Sequence, residues 1–273
     1  MPATLAGITT DAAITAAEEN LWSMWAVFGR GERCRLVDEP GLMRFETPVP
    51  YIPYNSIMRF RVDERIDETI DETLDPYWQR DVPLMWVVHP TTRPADLVGR
   101  LAARGLVEAE VAPGMVARLD AIPAPDLAPP GIEIAQVTPA DKNPFIELVT
   151  WRYSLPPHVA PTLRSIMETA RFAEPGAPTQ AWVARRNREV ISKVVLHVGA
   201  GVAGIYGVAT KAEARGLGLA RLLTIRALEA AREIGIEIGI LHSTPMARSL
   251  YEGLGFQRVA DFRLYSTPGT LHL

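Results

Sequence analysis

Arg215-Gly-Leu-Gly218-Leu-Ala220 is a segment whose residue types and spacing could hold an anion. Gly216 and Gly218 let the backbone approach a ligand with no Cβ in the way. Apolar residues then recur at helical spacing through Leu219, Leu222, Leu223, Ala227, Ala230, Ala231 and Ile234. The first N–H groups of such a helix have no intrahelical partner, and its dipole adds positive potential, so a phosphate or pyrophosphate can rest there. An apolar strand ending at Val208 feeds this turn. Tight strand-to-helix packing alone produces the same pattern, so the turn has two readings until its surroundings are weighed. A second apolar strand, Ile236 to Leu241, follows the helix, and then Thr244-Pro-Met-Ala247-Arg-Ser-Leu250-Tyr251-Glu-Gly-Leu-Gly255-Phe256.

The two segments together resemble the Gcn5-related N-acetyltransferase (GNAT) superfamily. Arg215-x-x-Gly218-x-Ala220 matches that family's R/Q-x-x-G-x-G/A loop, and Ala247-x-x-Leu250-Tyr251-x-x-x-Gly255-Phe256 matches its second signature. The resemblance implies acetyl-CoA as co-substrate and no metal. It places the cofactor on Val208, Ala209, Thr210, Arg215, Gly216, Leu217, Gly218, Leu219, Ala220, Thr244 and Ala247, with Thr244 standing where the family usually has asparagine. It further implies direct transfer in a ternary complex, for which the amine must lose a proton. A backbone N–H on the strand ending at Val208 would hold the developing oxyanion. Tyr251 matches the position whose phenol protonates the leaving thiolate; the alternative is a tyrosine that packs against the last strand. Many members carry a carboxylate base on the fourth strand, but here that strand is Ala203-Gly-Ile-Tyr-Gly-Val208. His242 and Tyr206 are the nearby alternatives. An imidazole titrates near neutrality and could take the proton, or His242 could cap its strand as a structural residue. His197, His89, His158 and His272 have weaker claims.

Stepping outward to the elements, Ile132–Gln136, Gln180–Arg185, Glu189–Val198, Val202–Val208, Ile236–Leu241 and Phe256–Ser266 read as strands. Helices fit Pro139–Trp151, Pro161–Phe172, the stretch after Gly218 and Pro245–Leu254. That order matches a complete GNAT domain. The proline-rich segment Asp120 to Gly131 is the expected domain boundary. We therefore expect a degenerate GNAT-like domain at 1–123, a linker at 124–131 and a catalytic domain at 132–273. In the first half, helices fit Ala12–Phe28 and Ile66–Tyr77, and strands fit Cys34–Asp38, Leu42–Glu46, Ser56–Val62 and Leu84–Val88. Its end, from Pro94 through Gly105-Leu106 to the strand Gly114–Leu119, mimics a GNAT ending, but no Arg-x-x-Gly-x-Gly turn occurs there. The fold class implied is α/β, or α+β in some schemes. Two GNAT-like domains are expected, each a mixed, mostly antiparallel sheet flanked by helices.

Composition bounds the partners. Residues 1–123 carry 12 Lys and Arg against 19 Asp and Glu, whereas 124–273 carry 16 against 13. The acidic first half argues against nucleic acid, and the mildly basic second half suits an anionic cofactor. No apolar run is long enough for a membrane span, and the N-terminus lacks the basic region of a signal peptide, so a soluble cytoplasmic protein is expected. Cys34 is the lone cysteine, which excludes an internal disulfide or a thiolate cluster.

The acceptor side is read more coarsely. Trp151-Arg-Tyr153 follows a first-helix pattern where GNAT enzymes shape the acceptor pocket, and Trp86 and Asp75 are further candidate contacts. Asp63-Glu64, Asp67-Glu68, Asp71-Glu72 and Asp75 repeat at i, i+4. They form either a solvated acidic helix or a wall that recruits a cationic substrate. These features favour a small cationic amine, with an aminoglycoside-type antibiotic as the leading substrate and a homodimer as an open arrangement. A protein lysine or N-terminal acetyltransferase and a non-catalytic acyl-CoA sensor remain the rivals.

Overall fold

The structure is a computed structural model that describes residues 4–5, 8–169, 171–172, 174 and 176–269. In chain order it runs β1 (Thr4–Leu5), β2 (Ile8–Thr9), α1 (Thr10–Ala26), β3 (Arg35–Glu39), β4 (Leu42–Glu46) and β5 (Ser56–Phe60). Next come α2 (Ile66–Trp78), β6 (Met85–Val88), α3 (Leu97–Ala103), β7 (Val107–Arg118) and β8 (Ile132–Gln136). Then α4 (Lys142–Arg152), α5 (Ala160–Thr169), β9 (Thr179–Arg186), β10 (Glu189–Gly199) and β11 (Val202–Thr210) follow. The last elements are α6 (Leu219–Glu233), β12 (Ile238–His242), α7 (Arg248–Glu252) and β13 (Gln257–Ser266). No helix among the described residues is long and apolar enough to cross a membrane.

Two compact units result, and they do not divide at the proline-rich stretch. One holds residues 1–24, 113–164 and 171–260; the other holds 25–112, 165–170 and 261–273. The expected linker lies wholly in the first of these, and Arg221 of α6 donates to Asp126 within it at 2.6 Å. A proline run restricts the backbone, but it separates domains only where few contacts cross it, and here an ion pair ties it to α6.

In the first unit β8, β9, β10 and β11 pair antiparallel in sequence, β11 pairs with β12 in parallel, and β12 pairs antiparallel with β7. Helix α6 buries Leu219, Leu223, Ala227 and Leu228 against one face, with Ala203, Ile205 and Leu241 beneath. On the other face Ala13 of α1 meets Val202, Ile238 and Ile240. Alternate residues of each strand thus serve opposite layers, as a pleated sheet requires.

The second unit repeats the scheme. Its β3, β4 and β5 pair antiparallel, β5 pairs with β6 in parallel, and β6 pairs with β13. Helices α2 and α3 cover it through Ile70, Leu74, Leu97 and Leu101. The final strands are exchanged relative to the expected order. Met115–Arg118 closes the sheet beside β12, and Arg263–Ser266 closes the one beside β6. An apolar alternation specifies a strand and its inward face, but not which of two similar edges it joins.

Candidate acyl-transfer site

The site is built where β11 and β12 part. Their parallel register runs from Ala203↔Gly239 to Ile205↔Leu241 and stops there. Beyond it β11 stays paired with β10 and β12 with β7, so a fork opens between Tyr206 and His242. The two rings stand 6.5 Å apart, centroid to centroid, at its base. On β11 the ladder steps from Val195↔Tyr206 to Lys193↔Ala209, leaving Gly207 and Val208 opposite Val194 alone. This bulge takes backbone groups out of the ladder, a use bulges often serve next to active sites.

The turn before α6 has the left-handed glycines and the helix start that the residue pattern implied. Gly216 and Gly218 have φ of +78° and +71°, and the space a Cβ would fill at each is open. Gly218 caps α6 without any side-chain hydrogen bond, so the first helical N–H groups face the exposed loop 215–218. Fifteen residues of helix stand behind them. A pyrophosphate fits such an end on both hydrogen bonding and dipole grounds. The second unit offers a contrast at the equivalent place. There α2 begins after Asp63-Glu64-Arg65 and carries Asp67 and Glu68 in its first turn, so its positive end is already met by carboxylates.

The site residues expected from sequence divide between the two units. Val208, Ala209 and Thr210 lie in β11, Thr244 and Ala247 lie in the turn before α7, and His242 closes β12. Tyr251 is buried with Ile205, Leu241 and Leu254 on the α6 side, its ring edge-on to Phe256 at 6.1 Å. Burial pushes its phenol up to about 12, so it stays protonated at neutral pH and available as a donor. Trp151 and Tyr153 also belong to the first unit, at the end of α4; Trp151 is 43% exposed and the Arg152 guanidinium lies 5.4 Å from the Tyr153 ring centroid.

Trp86 and Asp75 belong to the second unit. Trp86 is fully buried in that unit's core, edge-on to Phe60 at 5.2 Å, which makes it a packing residue and corrects its expected acceptor contact. Its Val-rich strand buries both faces, so an aromatic there serves the core first. Asp75 is exposed and accepts a hydrogen bond from Gln79. The acidic helix is largely answered by arginines: Arg100 pairs with Asp67, Arg104 with Asp67 and Asp71, Arg65 with Glu68 and Glu72, and Arg93 with Asp63. Hydrogen bonds from Arg100 and Arg104 hold the Asp67 and Asp71 carboxyls below their ordinary range.

Several groups at the fork escaped the motif-based reading. Asn20 of α1 is fully buried, and its Nδ2 donates to the carbonyls of Gly199 (2.9 Å), His197 (3.2 Å) and Val202 (3.3 Å). Its Oδ1 accepts from the Tyr206 hydroxyl at 2.6 Å. A Cβ on Gly204 would overlap that same oxygen, so α1 docks flush only because β11 carries glycine there. Lys193, 2% exposed, donates to the Gly207 carbonyl at the bulge and lies 5.3 Å from the Phe145 ring centroid. His197 is pinned at both ring nitrogens, by Thr179 and Ser23 at 2.8 Å each, which is the structural role. His272 lies outside the described residues. Among those described, no group of three His, Cys, Asp or Glu is placed to hold a metal.

The "Acetyltransferase (GNAT) domain" family matches residues 177–258, which span β9 to α7 and the fork. Among solved structures the chain is similar to a GCN5-related N-acetyltransferase from Kribbella flavida, at 16% identity and a TM-score of 0.65, covering 93% of this chain and 96% of that one. It is also similar to a tandem GNAT protein from the clavulanic acid biosynthesis pathway, at 15% identity and a TM-score of 0.62, with 94% and 92% covered. A glucosamine N-acetyltransferase region of a fungal multi-domain GH3 β-N-acetylglucosaminidase matches at 12% identity and a TM-score of 0.60, covering 90% of this chain and 34% of that one. These likenesses report the fold. No curated protein matches the chain by sequence.

Proposed function

We propose that this chain, an acetyltransferase of the GNAT superfamily with the tandem arrangement, moves an acetyl group from acetyl-CoA to a primary amine of a small cationic molecule. The observation that carries the reading is the fork between β11 and β12 with an uncapped, glycine-fronted helix beside it. Acetyl-CoA, when bound, supplies an acyl carbon activated as a thioester. The N–H groups at Gly218 to Ala220 and the Arg215 side chain hold its pyrophosphate, and Val208 to Thr210 line its arm. Lys193 donates to the Gly207 carbonyl and so polarises the peptide whose N–H belongs to Val208, the donor for the oxyanion.

Proton traffic then falls on opposite faces of the sheet. Tyr251 holds its proton on the α6 face and gives it to the departing sulfur. Between the two base candidates, Tyr206 already commits its hydroxyl proton to Asn20, and burial raises its phenol well above the ordinary value. His242 is therefore the base that accepts the proton of the attacking amine.

An aminoglycoside-type amine is the first acceptor to test. Seven carboxylates between Asp63 and Asp75 outnumber the four arginines that pair with them, which leaves a face attractive to polycations. The glucosamine specificity of one structural relative points to the same amino-sugar chemistry. The place of action follows the supply of acetyl-CoA, the cytoplasm, and a homodimer is the assembly to check by sedimentation.

Thiol release from acetyl-CoA, measured with aminoglycosides, polyamines, amino acids and peptides, tests the reading. Release should depend on the amine, and Tyr251→Phe should lower kcat by about 100-fold or more while acetyl-CoA still binds. Binding without release across all amines would instead leave an acyl-CoA sensor. Release with peptides alone would move the acceptor to protein lysines or N-termini.

A further inference from the structure

Two consecutive residues of β10 hold β11 from opposite faces of the sheet. Side chains alternate along a strand, so Ser192 and Lys193 point to opposite sides. Lys193 reaches the Gly207 carbonyl from the face where Phe145 of α4 packs on it. Ser192 shares its face with Val194, which belongs to the core under α6. It is 0% exposed, and its Oγ donates to the Ala209 carbonyl at 3.0 Å. The same Oγ stands 2.7 Å from Thr210 Oγ1. A serine hydroxyl has a single proton, and here it goes to Ala209, so the Thr210 hydroxyl is the donor in the second bond. A short relay results, from Thr210 Oγ1 to Ser192 Oγ to the Ala209 carbonyl.

The ladder shows what this relay controls. Lys211 N–H donates to the Ile191 carbonyl at 2.9 Å. Bonded and unbonded pairs alternate in antiparallel strands, so Lys193 with Ala209 is the next bonded pair and Ser192 with Thr210 the unbonded one between. The Ala209 carbonyl therefore points to β10. The N–H of Thr210 belongs to the same trans peptide and points the other way, to the edge where β12 has ceased to pair. Burial changes at the same place: residues 202–205 are buried, whereas Gly207 is exposed and Val208 and Thr210 are half-buried. An open strand edge of this kind receives an extended ligand through main-chain hydrogen bonds. We infer that Ser192 and Thr210 form a hydroxyl lock for the arm of acetyl-CoA. Ser192 is a positioning residue: by holding the Ala209 carbonyl it aims the Thr210 N–H at an amide carbonyl of the arm. Lys193 does the same for the Gly207–Val208 peptide and its oxyanion donor, so the two clamps divide binding from chemistry. The inference rests on the reading of acetyl-CoA as the co-substrate.

The test is the Kd for acetyl-CoA, measured by isothermal titration calorimetry in wild type, Ser192→Ala, Thr210→Val and Thr210→Ser. Loss of either hydroxyl should weaken binding about three- to tenfold, the worth of one hydrogen bond, and Thr210→Ser, which keeps its hydroxyl, should bind like wild type. In turnover the same two losses should raise KM for acetyl-CoA and leave kcat unchanged, whereas Lys193→Met lowers kcat. Wild-type affinity in both Ser192→Ala and Thr210→Val overturns the inference. An equal loss in Thr210→Val and Thr210→Ser also overturns it, because the effect would then come from packing. A wild-type protein that binds no acetyl-CoA overturns the co-substrate reading beneath the lock.

Discussion

Lys193 is an expensive residue at the place it occupies. Its ammonium is sealed from solvent, and among the described residues no carboxylate pairs with it. Burial first, and the nearby Arg152 second, lower it from its ordinary value to about 7. A base whose folded value lies below its unfolded one destabilises the fold at low pH, and the penalty fades as pH rises from about 7 toward 10.5. Lys193→Met should therefore stabilise the protein at pH 7, on the order of 1–3 kcal/mol, with a smaller gain at pH 10. The same change removes the donor on the Gly207 carbonyl and should lower kcat about tenfold. Thermal melts at both pH values beside kcat decide the matter. A stabilised variant with undiminished kcat would remove Lys193 from the chemistry and leave it a packing residue.

At the scale of elements, the docking of α1 on β11 is the contact most sensitive to a single atom. Gly204→Ala would drive a methyl into Asn20 Oδ1 and the Tyr206 ring. The expected loss is about 1–3 kcal/mol, with faster amide exchange confined to residues 13–24, read by urea melts and hydrogen–deuterium exchange. Unchanged exchange there would mean that α1 docks without Asn20. This contact also shows what a linear reading reaches. Strands such as Leu42–Glu46 and Ile132–Gln136 fall where alternation and turn residues put them, and so does the glycine-fronted start of α6. Those features are local: two-residue and 3.6-residue periods, and glycines at left-handed positions. The role of α1 is not local. Asn20 stands in an otherwise apolar arc, a visible oddity, but its partners lie some 180 residues away. The exchange of last strands is hidden for the same reason, since Met115–Arg118 and Arg263–Ser266 present similar edges to similar neighbours. Trp86 was misplaced because an aromatic beside prolines reads equally as a pocket wall or as a core anchor.

For the molecule as a whole, a buried imidazole and a half-buried one set the acid side of stability. His197 is 4% exposed and His242 is half-buried at the fork, and desolvation lowers each to about 4 from an ordinary value of 6.5. Both are neutral in the folded protein, while the unfolded chain protonates them once pH falls below about 6.5. The unfolded state thus binds more protons between about 6.5 and 4, and folding stability declines across that window. Each proton of difference is worth about 1.4 kcal/mol per pH unit, so the decline should be steep where both contribute. Carboxylates act later. Asp67, Asp71 and Asp96 are held below 3.8 by Arg100 and Arg104, and what they add is present at higher pH and disappears as pH falls through their folded values. The histidine-driven loss of stability should accordingly begin near pH 6.5, before any of these ion pairs titrates. Urea denaturation at pH 7.5, 6, 5 and 4.5 checks it, with His197→Gln as the comparison. That variant gives up the bonds to Ser23 and Thr179 and starts less stable, but its decline from pH 6.5 to 4.5 should be about half as steep. A flat wild-type profile down to pH 4.5 would show that the two rings are solvated in the folded protein.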